Sequence, residues 1–305
     1  MSELDLEKGI NVLSLFDGIS CGQVAFERAG IKVNNYYAFE IEPNAIKITN
    51  HNYPNTIQCG DVFNTDFTEF LDKEIDIVIF GFPCQFFSRA KCHTAKSKRE
   101  VTPDGDGWAL FQRAAECLKV IKPKYFLAEN NEGIPEQIIE AVSKELGVEP
   151  IMIDAAKVSA QRRKRLYWTN IPGITQPEDK GILFKDIIVD DPSLIKTDER
   201  IGRGLKYTDN YVKYDLSGKG YYSQQDRAYY PDSKAPTVPR CRTETKLNLW
   251  LGNNTYKKTC VTEVERLMTL PDGYTDCGLP KTRRYEALGN GWVVEVIAHI
   301  FSYLK

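Results

Sequence analysis

The 305-residue chain has no apolar run approaching the ~18–20 residues that a membrane-spanning helix needs, and residues 1–9 are acidic where a secretory leader is basic and then apolar. A soluble globular protein of the cytoplasm or nucleoplasm is expected. No CxxC pair occurs. The eight cysteines, at 21, 59, 84, 92, 117, 241, 260 and 277, are dispersed in a chain long enough to bury its own core, so reduced thiols are expected. Cys92-His93 is the one adjacent Cys/His pair and lacks further partners at metal-ligand spacing, which argues against zinc. Internal repeats and low-complexity tracts are absent. So is GxGxxG, which disfavours a dinucleotide phosphate site.

What is present is unevenly divided. Residues 1–154 carry 15 Lys+Arg against 24 Asp+Glu, whereas residues 155–305 carry 25 against 18. A basic half beside an acidic one suggests a polyanion partner for the former, although a solvated basic face has the same composition.

The acidic half reads as strands ending in polar turns. Asn11 to Phe16 is an apolar run that breaks into Asp17-Gly18-Ile19-Ser20-Cys21-Gly22 and then a helical pattern, with glycines 18 and 22 placed to let a ligand approach the backbone. A second strand, Asn35 to Phe39, ends at Glu40, where α/β nucleotide binders hold ribose hydroxyls. Pro43 opens a helix, and Thr56 to Gln58 leads into Gly60-Asp61-Val62. Three turns carrying carboxylates favour an uncharged or cationic adenosyl ligand over a phosphate.

The apolar run Ile75 to Phe80 ends in Gly81-Phe82-Pro83-Cys84-Gln85-Phe86-Phe87-Ser88. A cysteine delivered by a Gly/Pro turn to the carboxyl end of a buried strand is placed for nucleophilic chemistry; a cysteine packed as a small hydrophobe is the competing reading. The basic segment Arg89 to Gly107 lacks an apolar period and suggests a loop over an anionic substrate. Trp108 to Val120 reads as a helix, Tyr125 to Ala128 as a strand ending in Glu129-Asn130-Asn131, Gly133 to Glu145 as a helix and Pro150 to Ile153 as a sixth strand. Gln161-Arg162-Arg163-Lys164-Arg165 then feeds the strand Leu166-Tyr167-Trp168. From Pro172 the periodicity fades into a strand-poor segment with tyrosines at 207, 211, 214, 221, 222, 229 and 230 among basic residues, a composition suited to phosphate contact and stacking. Glu263 to Leu270 reads as a helix, and Leu288 to Val294 leads a last helix to Tyr303.

These residues resemble, in order and over nearly the whole chain, the DNA (cytosine-5) methyltransferase family, closest in pattern to the compact catalytic domains of de novo animal enzymes and of phage and bacterial relatives. Phe16-Asp17-Gly18, with Ile19, Ser20 and Gly22, looks like its S-adenosyl-L-methionine loop. Glu40 with Ile41 looks like the ribose-binding acid, and Asp61 with Val62 the adenine-binding acid. Pro83-Cys84-Gln85 matches the nucleophile motif, Glu129-Asn130 the acid motif and Gln161 to Arg165 the basic motif beside the target base. Glu265-Arg266-Leu267 through Pro271, and Gly289-Asn290 with Gly291 and Trp292, look like the last two motifs.

The resemblance implies a doubly wound, Rossmann-like α/β catalytic and cofactor domain (1–171), a small irregular target-recognition region (172–284) and a C-terminal helix returning to the catalytic domain (285–305), with double-stranded DNA in the cleft between the first two. It implies a monomer or homodimer, Cys84 as nucleophile to carbon 6 of a flipped-out cytosine, Glu129 at ring nitrogen N3, and Arg165 with Arg163 at the base carbonyl. Gln85, Ser88, Arg89, Gln161, Thr237, Arg240 and Arg242 are the expected DNA contacts. Phe82, Phe86, Phe87, Asn131 and Gly291 depart from the family pattern, so an altered base or a transferred group other than methyl stays open. A tRNA cytosine-5 methyltransferase, a non-catalytic regulatory homologue and an unrelated Rossmann-like nucleotide-binding protein are the alternatives.

Overall fold

The computed structural model describes residues 4, 6–88, 99–197, 205–213, 227–240 and 247–304. The chain forms two units, one of residues 1–153, 164–176 and 296–305, the other of residues 154–163 and 177–295. The observed boundaries therefore differ from a division at residue 171: residues 154–163 join the second unit, and the first unit is made of three stretches of sequence.

In the first unit, β1 (Ile10–Leu15), β2 (Val33–Phe39), β3 (Ile57–Gln58), β4 (Ile77–Gly81), β5 (Tyr125–Asn131), β6 (Ile151–Asp154) and β7 (Lys164–Thr169) form a seven-stranded sheet of order β3-β2-β1-β4-β5-β7-β6. The pairs β2/β3, β1/β2, β1/β4 and β4/β5 are parallel, and β7 runs antiparallel to β5. β1, β4 and the first half of β5 are mostly apolar and almost wholly buried, as parallel strands covered by helices must be. The helices are α1 (Cys21–Arg28), α2 (Pro43–Asn52), α3 (Asp106–Ile121) and α4 (Glu136–Leu146). α3 begins two residues before the expected Trp108.

The sheet direction determines what meets at its edge. The carboxyl ends of β1 to β5 lie together, so the segments after Leu15, Phe39, Gln58 and Gly81, and the last residues of β5, share one rim. Because β7 is antiparallel, its amino end reaches that same rim, with Arg165 opposite Asn131.

The second unit corrects the strand-poor expectation. Among its described residues it holds six strands, β8 (Ile195–Thr197), β9 (Lys206–Tyr207), β10 (Tyr211–Lys213), β11 (Arg227–Tyr229), β12 (Asn248–Gly252) and β13 (Thr255–Lys258), in the order β8-β13-β12-β11-β10-β9. With lengths of two to five residues, they are too short to carry a readable alternation. α5 (Val261–Leu267) ends three residues earlier than expected, and α6 (Lys281–Asn290), which the sequence reading missed, puts Gly289-Asn290 at a helix end. α7 (Val294–Phe301) starts in the second unit, and from Val296 onward it belongs to the first.

Candidate active site

The first turn on the rim is built around a left-handed backbone: φ is +56° at Phe16, +63° at Gly18 and +55° at Ser20. Asp17 holds it in shape. Its carboxylate accepts hydrogen bonds from Ser14 Oγ at 2.7 Å, Tyr36 OH at 2.7 Å and Ser20 Oγ, and its burial pushes the carboxyl above its ordinary pKa. The side chain expected to face a ligand is thus turned into the protein. Gly22 is also reassigned: a Cβ there would lie 2.6 Å from Ile79 Cδ1 and 2.8 Å from Tyr36 OH, so its smallness serves the packing of helix on sheet rather than ligand approach. Ile19 and Ser20 are buried.

Glu40 joins this turn to the next. Its Oε2 accepts from the Gly18 N–H at 2.8 Å, and its Oε1 from the N–H groups of Ile41 and Glu42, each at 2.8 Å. Asp61 accepts from the Phe63 N–H at 3.0 Å. Ile41 is 69% exposed and Phe63 is 51% exposed, whereas Val62 is buried. The apolar surface at the third turn therefore comes from Phe63, which sequence reasoning passed over for its neighbour. An adenosyl group with a cationic sulfonium fits this chemistry: residues 16–22, 40–42 and 60–63 offer carboxylates and exposed apolar side chains and contain no lysine or arginine.

Cys84 stands beyond β4 in a single 3-10 turn, Cys84–Phe86, following Pro83. Its carbonyl accepts from Phe87 N–H at 3.1 Å and Ser88 N–H at 2.9 Å, and its side chain and that of Gln85 are exposed. The competing reading of a buried cysteine is overturned. Phe82 and Phe87 are the opposite case: both are buried, Phe82 against Phe80, Phe87, Phe111 and Trp168 at ring separations of 5.2–6.5 Å. These departures from the family pattern face the core. Phe86 is half-buried beside Gly107.

Glu129 lies on β5 opposite Gly81, so it sits beside the strand that delivers Cys84. Arg165 Nε pairs with Glu129 Oε1 at 3.0 Å, and Arg165 Nη1 donates to the Lys164 carbonyl at 2.8 Å. Asn130 Nδ2 donates to the Phe82 carbonyl at 3.0 Å, and Asn131 Oδ1 accepts from Gly133 N–H at 2.9 Å. Nucleophile turn, carboxylate and guanidinium are therefore brought together within one unit.

The second unit separates Arg163 from Arg165 in role. Arg163 is 5% exposed; its Nη1 donates to the Val238 carbonyl at 2.9 Å and its Nη2 to those of Gly289 and Gly291 at 3.1 and 3.0 Å. It braces the backbone, which corrects the expectation of a second guanidinium on the base. Gln161 is likewise buried, donating to the Leu267 carbonyl at 2.6 Å and accepting from Val238 N–H at 3.1 Å, so it is placed as packing rather than as a DNA contact. Thr237 is exposed, with Oγ1 donating to the Arg162 carbonyl at 2.7 Å, and Arg240 pairs with Glu286 at 2.9 Å. Asn290 is exposed, Gly291 buried and Trp292 half-buried. Arg89 and Arg242 lie outside the described residues, as do Tyr214, Tyr221 and Tyr222. Among the described residues no group of three His, Cys, Asp or Glu side chains could hold a metal, and no helix is long and apolar enough to cross a membrane.

Comparison with known proteins gives a family and a fold. Residues 10–180, more than half the chain, match the family described as C-5 cytosine-specific DNA methylase. The type II methyltransferase M.NlaIV of Neisseria lactamica is 35% identical over 129 residues, 41% of this chain but 28% of that enzyme, so the matched part is under a third of that relative. M.NlaX of the same organism is 24% identical over 312 residues and 96% of each chain. Among solved structures, S. pombe Dnmt2 methyltransferase superposes with a TM-score of 0.71 at 20% identity, covering 97% of this chain and 98% of its own, which is a likeness of fold. With the parallel-rich sheet, the rim and the match across residues 10–180 in agreement, the chain belongs to the C-5 cytosine-specific DNA methylase family.

Proposed function

We propose that the protein transfers a methyl group from S-adenosyl-L-methionine to carbon 5 of cytosine in double-stranded DNA. The observation that carries this reading is the exposed Cys84 turn beside the Glu129–Arg165 pair on one sheet rim. Carbon 5 of cytosine is a weak nucleophile until a thiolate adds to carbon 6, and Cys84 is placed for that addition. As electron density moves onto the ring, Glu129 holds the proton at N3 while Arg165 donates to the developing charge on the base carbonyl. Once carbon 5 has taken the methyl group, its proton passes to water, and the electron pair of that C–H bond re-forms the 5,6 double bond as the carbon 6–sulfur bond breaks and releases the Cys84 thiolate. The target base must leave the duplex stack to meet this rim.

S-Adenosyl-L-methionine supplies an electrophilic methyl group, and the rim turns of Gly18, Glu40, Ile41, Asp61 and Phe63 would hold it. Glu40 and Asp61 would take the ribose and adenine, with Ile41 and Phe63 against the purine faces. Thr237, exposed beside the Gln161–Arg163 segment, would meet the DNA as an acceptor, because its hydroxyl proton is already donated to the Arg162 carbonyl. In cells expressing the protein, mass spectrometry and methylation sequencing should find 5-methylcytosine in DNA within a fixed sequence context. Unmodified DNA, or 5-methylcytosine confined to tRNA, would overturn the proposal.

A further inference from the structure

The turn that presents Cys84 is tied at both ends to the segment that carries Glu129. Asn130 secures its start through the Phe82 carbonyl. At its end the Phe87 carbonyl accepts from Arg99 Nε at 2.7 Å, and the same guanidinium, through Nη2, donates at 2.6 Å to the carbonyl of Gly133, beyond Glu129 in the chain. Arg99 is itself held in line by the next residue. The Glu100 N–H donates to the Phe86 carbonyl at 3.0 Å, and Glu100 Oε2 accepts from the Gly107 N–H at 3.0 Å.

A guanidinium is planar and permanently charged, and its N–H groups have a fixed separation, so bonds from two of them set the distance between their acceptors. A lysine, a point charge on a flexible stem, sets no such distance. The buried rings of Phe82 and Phe87 keep the ends of the turn from shifting independently. We infer that Arg99 is a positioning residue: by joining the Phe87 and Gly133 carbonyls it fixes the separation of the Cys84 thiol from the Glu129 carboxylate, and with it the approach of the nucleophile to the base.

The identity of the reacting atoms rests on the cytosine-5 proposal, whereas the clamp itself does not. Arg99→Ala and Arg99→Lys are compared with wild type, as full chains, below the melting temperature of the least stable variant. Single-turnover adduct formation with duplex DNA containing 5-fluorocytosine, in the presence of S-adenosyl-L-methionine, should slow on the order of 100-fold in Arg99→Ala, the scale expected of a misplaced reactant. Affinity for the cofactor should be unchanged, Arg99→Lys should recover only part of the rate, and added ethylguanidinium should accelerate the alanine variant but not wild type. Adduct formation at the wild-type rate, or a loss that follows the unfolded fraction and is not rescued by ethylguanidinium, overturns the clamp. If wild type itself forms no adduct, the cytosine-5 proposal falls instead. The rate of Cys84 alkylation by iodoacetamide relative to Cys277 then decides the clamp without any substrate: a changed ratio in Arg99→Ala supports it, and an unchanged one overturns it.

Discussion

Replacing Arg163 with alanine removes a guanidinium that donates to three backbone carbonyls at 2.9, 3.1 and 3.0 Å. Water does not reach them, since the residue is buried. Hydrogen bonds to charged groups contribute about 1.5–3 kcal/mol each, but three bonds drawn from one charge are not additive, and breaking a buried charged arrangement costs about 3–5 kcal/mol. That is a large share of the ~5–15 kcal/mol that holds a domain folded. Arg165→Ala breaks one ion pair whose side chains are 15% and 12% exposed, and leaves the β5/β7 ladder in place. Its stability cost should fall between those of surface and buried pairs, about 1–2 kcal/mol, while loss of charge stabilisation should lower kcat by roughly 100- to 1,000-fold. Urea unfolding followed by tryptophan fluorescence separates the two effects, because Trp108 and Trp168 report on the first unit and Trp250 and Trp292 on the second. Arg163→Ala should unfold early at the second-unit tryptophans. An Arg163→Ala protein with the wild-type midpoint but no turnover, or an Arg165→Ala protein with full turnover, would refute the division of labour.

Thiol labelling at about pH 8 should modify exposed Cys84 ahead of Cys59 and Cys117, whose thiols burial pushes up to about 11 and about 12; peptide mass spectrometry showing Cys117 modified first would count against the exposed turn. Cys84→Ser should abolish methyl transfer and retain cofactor binding, so persistent turnover would end its assignment as nucleophile. Burial raises the Asp17 carboxyl above 3.8, so the folded state keeps its proton longer than the unfolded one; this group's contribution is full below pH 3.8 and declines as pH rises through the raised value. Asp17→Asn should remove that part of the pH dependence of the urea midpoint, and an unchanged profile would contradict it. Gly289→Ala would place a Cβ 2.3 Å from the Pro239 carbonyl oxygen and 2.6 Å from Arg240 N, backbone atoms that cannot step aside, and should destabilise by about 1–3 kcal/mol in thermal unfolding.

β1, β4 and the start of β5 were legible because both of their faces are buried, which leaves apolar runs ended by glycine and acidic residues. The position of Cys84 followed from the same pattern. The distinction between Arg163 and Arg165 was not legible, since Gln161-Arg162-Arg163-Lys164-Arg165 contains like residues, and the carbonyls that engage Arg163 come from residues 238, 289 and 291. Phe82 and Phe87 flank the nucleophile in sequence and so looked like site residues; only the 3-10 turn between them shows that their rings point inward while Cys84 points out. Val62 and Phe63 could not be ranked without the Asp61-capped turn that buries one and exposes the other. In the second unit β8 pairs with β13, and β11 with β10 and β12, across longer stretches of sequence, a relation that local pattern does not encode, while β9–β10 and β12–β13 are tight hairpins of very short strands.

The placement of α7 has a consequence for the order in which the protein is made. Phe301 stacks on Phe26 with ring centroids 4.0 Å apart, and Ile297, Ile300 and Phe301 are among the most deeply buried residues of the first unit. α1 is translated some way ahead of the ring that covers it, with the whole second unit between them in sequence. All seven strands of the sheet are made before residue 170, but the helix that covers α1 follows only after the second unit has been synthesised, and until then Phe26 waits without its partner.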